Sequence, residues 1–188
     1  MTVAVLALQG AFLEHEKMLE KLGADWFEIR QPRDLERPFD GLILPGGEST
    51  TMGKLLRDLD LYEPLRAKIQ GGLPVYGTCA GLILLAETVD GGVPCFATMD
   101  IAVKRNAYGR QLGSFYTEAD FQGLGKVPMT FIRAPYITSV GAGVTVLATV
   151  DGNIVAARQQ AQLVCSFHPE LDDSPLIHKF FLDIVSQK

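Results

Sequence analysis

A chain of 188 residues with 47% apolar residues, 21% charged residues and a net charge of −5 has the size and balance of one globular domain, residues 1–188, with a single closed core. The acidic balance without a basic cluster gives no support to a nucleic-acid footprint, and the sequence shows neither a signal-peptide pattern nor an apolar run of membrane-spanning length, so a cytoplasmic protein is expected. Cys79, Cys95 and Cys165 make an odd count without zinc-ligand spacing, so reduced thiols, no disulfide framework, no metal and no cofactor are expected.

Val3-Ala4-Val5-Leu6-Ala7-Leu8 is a continuous apolar run, the pattern of a strand buried on both faces, and Gln9-Gly10-Ala11 breaks it. Over residues 12–22, Phe12, Leu19 and Leu22, with Met18 beside them, fit one face of a helix that carries Glu14, Glu16, Lys17, Glu20 and Lys21 elsewhere; Gly23 stops it. Trp26-Phe27-Glu28-Ile29 reads as a second strand with Trp26 in the core, and Gln31-Pro32-Arg33-Asp34 as a turn. Gly41-Leu42-Ile43-Leu44-Pro45 is a third buried strand, ending in Gly46-Gly47-Glu48-Ser49-Thr50. Helices follow over residues 50–56 and 63–69, before Gly71-Gly72. This alternation predicts a three-layer α/β fold with a flavodoxin-like core: a mostly parallel central sheet, helices on both faces, and sites at the C-terminal ends of the strands.

Pro74-Val75-Tyr76-Gly77-Thr78-Cys79-Ala80-Gly81-Leu82-Ile83 orders the chain as strand, sharp turn and helix, with a potential nucleophile at the turn and the helical pattern running on through Leu84-Leu85-Ala86. Small residues at both flanks let strand and helix approach, and the helix starting there aims its free N–H groups and positive dipole end at the sulfur. Taken alone, the pattern fits a buried core cysteine equally well. Beyond Val89 the character changes. Ile101-Ala102-Val103, Ser114-Phe115-Tyr116, Met129-Thr130-Phe131-Ile132 and Val144-Thr145-Val146-Leu147 are β-like runs punctuated by Gly, Asn and Pro, as expected of antiparallel strands added to the parallel core. Asp151-Gly152 marks a hairpin between residues 146–150 and 154–157. Leu163-Val164-Cys165-Ser166-Phe167 is a last strand, leading into His168-Pro169-Glu170, and a helix over residues 175–185 lays Leu176, Phe180 and Ile184 on the sheet.

His168 and Glu170 follow one strand as Cys79 follows another, so the three can meet at the same sheet edge. Amide hydrolysis by a thiol needs a base that also protonates the leaving nitrogen, and a third group that orients the imidazole; Cys79, His168 and Glu170 are the candidates. A packing histidine and a solvated carboxylate are the alternatives. Gly46-Gly47 follows a further strand, and an N–H from this loop with that of Ala80 is a candidate oxyanion hole, against the alternative of a glycine turn that binds nothing. Cys95 and Cys165 read as packing residues, and His15 and His178, on amphipathic helices, as solvated or interfacial.

Leu44-Pro45-Gly46-Gly47-Glu48-Ser49-Thr50, Gly77-Thr78-Cys79-Ala80-Gly81 and Phe167-His168-Pro169-Glu170 together resemble the triad-type, class I glutamine amidotransferases. Leu8-Gln9-Gly10, Arg105-Asn106-Ala107-Tyr108-Gly109-Arg110-Gln111 and Phe131-Ile132-Arg133-Ala134-Pro135 narrow the resemblance to the glutaminase subunits of pyridoxal 5′-phosphate synthases, over essentially the whole chain. The resemblance implies hydrolysis of L-glutamine and delivery of ammonia to a barrel-shaped synthase subunit in a heteromeric complex, with pyridoxal 5′-phosphate as a product rather than a cofactor. It implies that glutamine is held by Gly46, Gly47, Glu48 and Ser49, by Arg105, and by Ile132 and Arg133. Gating of the oxyanion hole by the docked synthase, through the Gln9-Gly10 turn and the helix after it, is a further expectation. Two other readings share the residues: a free-standing cysteine amidohydrolase of γ-glutamyl substrates, and a non-catalytic regulatory subunit.

Overall fold

The computed structural model describes residues 1–108 and 113–187. Strand β1 (Thr2–Leu6) leads into α1 (Phe12–Lys21), β2 (Asp25–Ile29), a 3₁₀ turn (Pro32–Glu36), β3 (Gly41–Leu44), α2 (Ser49–Asp58), α3 (Tyr62–Gln70), β4 (Val75–Thr78) and the short α4 (Ala80–Leu85). Then follow β5 (Ala86–Asp90), β6 (Met99–Lys104), β7 (Ser114–Phe121), β8 (Gly125–Ile132), β9 (Tyr136–Val140), β10 (Val144–Val150), β11 (Asn153–Gln159), β12 (Gln162–Cys165), a second 3₁₀ turn (Pro169–Leu171) and α5 (Leu176–Ser186).

Five strands run parallel in the order β2-β1-β3-β4-β12. With β12 in fifth place this is the 2-1-3-4-5 winding of flavodoxin-like sheets, as the alternation of strands and helices predicts. Strands β11, β10, β7 and β8 extend the sheet antiparallel beyond β12, and β9 joins β11 to the β5–β6 pair. The continuous apolar runs are the buried strands: β3 and β4 are buried at every residue. Alternate side chains of β1 feed the two faces, Ala4 and Leu6 into one apolar cluster and Val3 and Val5 into the other. No helix among the described residues is long and apolar enough to cross a membrane.

The structure corrects several boundaries. Helix α2 begins at Ser49 rather than Thr50 because the Glu48 carboxylate caps it, accepting from the Thr50 and Thr51 amides at 3.1 and 2.7 Å. Helix α4 stops at Leu85, and Ala86 already belongs to β5, a strand with only Ala86 and Val89 buried and hence a weak apolar signal. Strand β9, with Ile137 as its one buried residue, is hidden from a pattern reading for the same reason. Helix α5 buries Ile177, His178, Phe181, Leu182, Ile184 and Val185, so Leu176 is exposed and Phe180 half-buried; Trp26 is also half-buried. On α1 the buried residues include His15 and Glu16. Burial, followed by the charge of Glu28, pushes the Glu16 carboxyl up to about 7.

Candidate active site

The segments after β1, β3, β4 and β12, four strands lying side by side, all leave the same edge of the sheet. Gln9-Gly10, Gly46-Gly47, Cys79 and His168 therefore converge on one mouth. Cys79 sits just ahead of α4 with φ 47° and ψ −97°. Such a conformation in a non-glycine residue stores about 1–3 kcal/mol of strain. Two constraints hold it: the Cys79 amide donates to the Cys165 carbonyl at 2.8 Å, and the flanking glycines admit α4 close against the sheet. A Cβ on Gly81 would overlap the Leu44 carbonyl, and one on Gly77 would meet the Gly81 backbone at 2.7 Å. The turn has the strained backbone and small flanks of a nucleophile elbow.

His168 Nδ1 lies 2.6 Å from Glu170 Oε1, and the imidazole lines the same cavity as Cys79. Burial opposes charge on His168, but the neighbouring Cys79, the hydrogen bond the ring donates to Glu170 and the carboxylate's charge outweigh it and lift the imidazole to about 10. Burial raises the Glu170 carboxyl above its usual range, with the hydrogen bond and charge of His168 pulling the other way. Gly46 closes the third side. A Cβ there would collide with the His168 ring and meet Cys79 Cβ at 3.4 Å, so the loop after β3 lies in contact with both of these side chains.

A cavity of about 490 Å³ opens over Cys79 and His168. The candidates Gly46, Gly47, Glu48 and Ser49 line it together with Arg105, Ile132 and Arg133. Ala80 is buried beneath it, its amide at the first position of α4, where no intrahelical acceptor exists. The Ile132 carbonyl stands 4.0 Å from Cys79 Sγ. Arg105 Nη2 approaches Glu48 Oε1 at 3.2 Å, so the cation and carboxylate suited to the two ends of an amino acid stand paired with each other in the cavity lining. Burial works against it, yet the hydrogen bonds from Thr51 and Thr50 hold the Glu48 carboxyl down to about 2. Gln9 and Gly10 touch the same loop: Gln9 Oε1 accepts from the Glu48 amide at 2.8 Å, and the Ala11 amide donates to the Gly46 carbonyl at 2.9 Å. Of the Arg105-to-Gln111 run, Gly109, Arg110 and Gln111 lie outside the described residues. Among the described residues no group of three or more His, Cys, Asp or Glu side chains is placed to hold a metal ion.

The family model described as the SNO glutamine amidotransferase family matches residues 5–187. The chain belongs to that family.

Among similar proteins, the pyridoxal 5′-phosphate synthase subunit PdxT of Desulfitobacterium hafniense (strain Y51) is 62% identical over 99% of this chain and 94% of its own length. The subunit of the same name from Methanocorpusculum labreanum is 61% identical over 99% and 98% of the two chains. A crystal structure of a glutamine amidotransferase superposes with a TM-score of 0.93 at 42% identity, covering 98% of both chains. A Thermotoga maritima glutamine amidotransferase, with a TM-score of 0.65 at 14% identity over 100% of this chain and 84% of its own, shares the fold alone. The enzyme is thus a glutamine amidotransferase by family as well as by architecture.

The amidotransferase site extends further than the sequence suggested. His15 and His178, expected on solvated or interfacial helix faces, are fully buried behind Glu170. The signal was present in the spacing: His15 falls in line with Phe12, Leu19 and Leu22 on the apolar stripe of α1. His15 Nδ1 lies 2.8 Å from His178 Nε2, and His15 Nε2 lies 3.1 Å from Thr78 Oγ1. Burial drives both imidazoles below their ordinary value, His178 to about 4. At pH 6 the three histidines of the amidotransferase are therefore expected to read as one imidazolium, His168, and two neutral rings by ¹⁵N NMR of histidine-labelled protein. For His178, whose folded value is depressed, the associated stability is present above the unfolded value near 6.5 and lost as pH falls through about 4. A His178→Gln variant lacks that titration and should lose on the order of 3 kcal/mol less than wild type over the interval, read by urea unfolding.

Proposed function

We propose that this chain is the glutaminase subunit of a pyridoxal 5′-phosphate synthase: it hydrolyses L-glutamine to glutamate and hands the ammonia to a barrel-shaped synthase subunit. The observation that carries the reading is the set of Cys79 and the Glu170-bonded His168 in the lining of one cavity, in a chain 62% identical to a PdxT subunit. The Cys79 sulfur attacks the side-chain carbonyl of glutamine, and the oxyanion that forms takes N–H donors from Gly47 and Ala80. His168, charged at neutral pH, protonates the departing nitrogen, and ammonia leaves first. The now neutral imidazole takes a proton from water, which cleaves the γ-glutamyl thioester and releases glutamate. Glu170 fixes the ring so that Nδ1 carries its proton toward the carboxylate and Nε2 does the work. Arg105 draws the substrate α-carboxylate, while Glu48 and carbonyl oxygens of the Ile132-Arg133 segment suit the α-ammonium. Free ammonia is lost to protonation in water, so turnover without the synthase is wasteful. The Gln9 and Ala11 contacts to the Gly46-Gly47-Glu48 loop offer a lever by which a docked synthase completes the oxyanion hole. Glutamate release is expected to rise about 10²–10³-fold when the synthase subunit is added, the usual worth of an oxyanion donor. Equal turnover with and without the synthase would refute the gating and favour a free-standing amidohydrolase.

A further inference from the structure

Glu170 presents two oxygens to a buried environment and has a hydrogen-bond partner for only one. Oε1 receives His168, whereas Oε2 is fully enclosed and without a hydrogen bond. A buried carboxylate oxygen left in this way is destabilising unless a dipole or charge faces it. The group that faces it is His15: its Nε2 stands 3.6 Å from Oε2 and 3.1 Å from Thr78 Oγ1, the residue just before the nucleophile. We propose that His15 is a positioning residue for the triad, a neutral imidazole that directs its Nε2–H at Thr78 and the back of the Glu170 carboxylate and so fixes both the acid and the elbow. The inference rests on Cys79, His168 and Glu170 being the catalytic set.

The tautomer follows from the surroundings. With the proton on Nε2, His15 aims a donor at a hydroxyl oxygen and a carboxylate, and its bare Nδ1 accepts from His178 Nε2–H at 2.8 Å. That arrangement leaves His178 Nδ1 as a bare lone pair, and this atom is buried without a partner. In the opposite tautomer a lone pair of His15 would face the carboxylate, and the buried His178 Nδ1 would carry an unpartnered N–H, the more demanding of the two orphans. Packing locks the pair in place. The Tyr76 ring meets His15 and His178 edge-on at 5.9 and 5.5 Å between centroids, and the two histidines come from the first and last helices of the chain. The catalytic carboxylate is thereby braced from α1, the helix that follows the Gln9-Gly10 turn.

The test compares His15→Leu and His15→Gln with wild type in complex with the synthase subunit, measuring kcat and KM for glutamine alongside thermal melts. Leucine removes the donor, and kcat is expected to fall about 10–100-fold with KM unchanged, the effect of a misplaced catalytic group. Glutamine places an amide N–H near the Nε2 position and is expected to restore kcat to within about threefold of wild type. A folded leucine variant with wild-type kcat overturns the proposal, as does a glutamine variant no better than leucine. If the leucine variant does not fold, ¹⁵N NMR of the wild-type enzyme decides: a proton on His15 Nε2 supports the role and a proton on Nδ1 refutes it. Wild-type complex that releases no glutamate indicts the catalytic reading instead, and leaves the tautomer measurement to judge His15 alone.

Discussion

Replacing Cys79 with alanine is expected to lower glutamate release by the synthase-bound enzyme about 10⁴–10⁶-fold, to the residue of catalysis that binding and oxyanion donors supply without a nucleophile. The sulfur and the His168 imidazole line the same cavity. The sole other thiols, Cys95 and Cys165, are buried in the two apolar clusters. Neither lines the cavity over His168. Alanine shares the L-residue penalty of the φ 47° turn and loses only the sulfur, so the melting temperature should change little while the rate collapses. Intact-mass analysis after brief exposure to glutamine checks the same point chemically, because the γ-glutamyl thioester forms on wild type and has no attachment site in the variant. A Cys79→Ala enzyme that keeps glutamine-dependent turnover would return the chain to the regulatory-subunit reading.

Exchanging Glu170 for glutamine is expected to reduce kcat about 10²–10⁴-fold with little effect on KM, in the range that loss of the orienting carboxylate brings to other triads. Two effects act together. The amide removes the negative charge that helps hold His168 near 10, so the imidazole is protonated over a narrower range and loses its standing as a general acid at neutral pH. The amide also presents a donor on one side. If its oxygen accepts from His168, its NH₂ faces His15; if it turns about, its NH₂ meets the His168 Nδ1–H. Because the raised His168 value belongs to the folded state, its stability contribution is full below about 6.5 and is lost as pH rises through about 10. In the variant that loss begins at lower pH, and a pH titration of unfolding free energy reads the difference.

Much of this was legible in the chain because strands buried on both faces announce themselves as apolar runs, and the residues that end them carry the chemistry. The positions of Cys79, His168 and Gly46-Gly47 follow from where β4, β12 and β3 stop. What escaped was whatever depends on polar groups inside the core. His15 and His178 sit on apolar stripes, and what periodicity cannot reveal is their mutual hydrogen bond across 163 residues. Glu48 read as a substrate contact and proves also to cap α2, which shifts the helix boundary. Strands β5 and β9 bury too few side chains to show a two-residue period.

The pairing of β4 with β12 joins Val75 to Gln162, and Cys79 follows one of these strands while His168 follows the other. During synthesis the elbow is therefore made long before the partner strand exists, and the sulfur has neither imidazole nor the Cys165 carbonyl that anchors its amide. Closing so long a loop is slow, and β4 remains an open sheet edge until it closes. The meeting of Cys79 and His168 is thus among the last events of folding: a chain that has begun to collapse lacks it until the β4–β12 pairing closes.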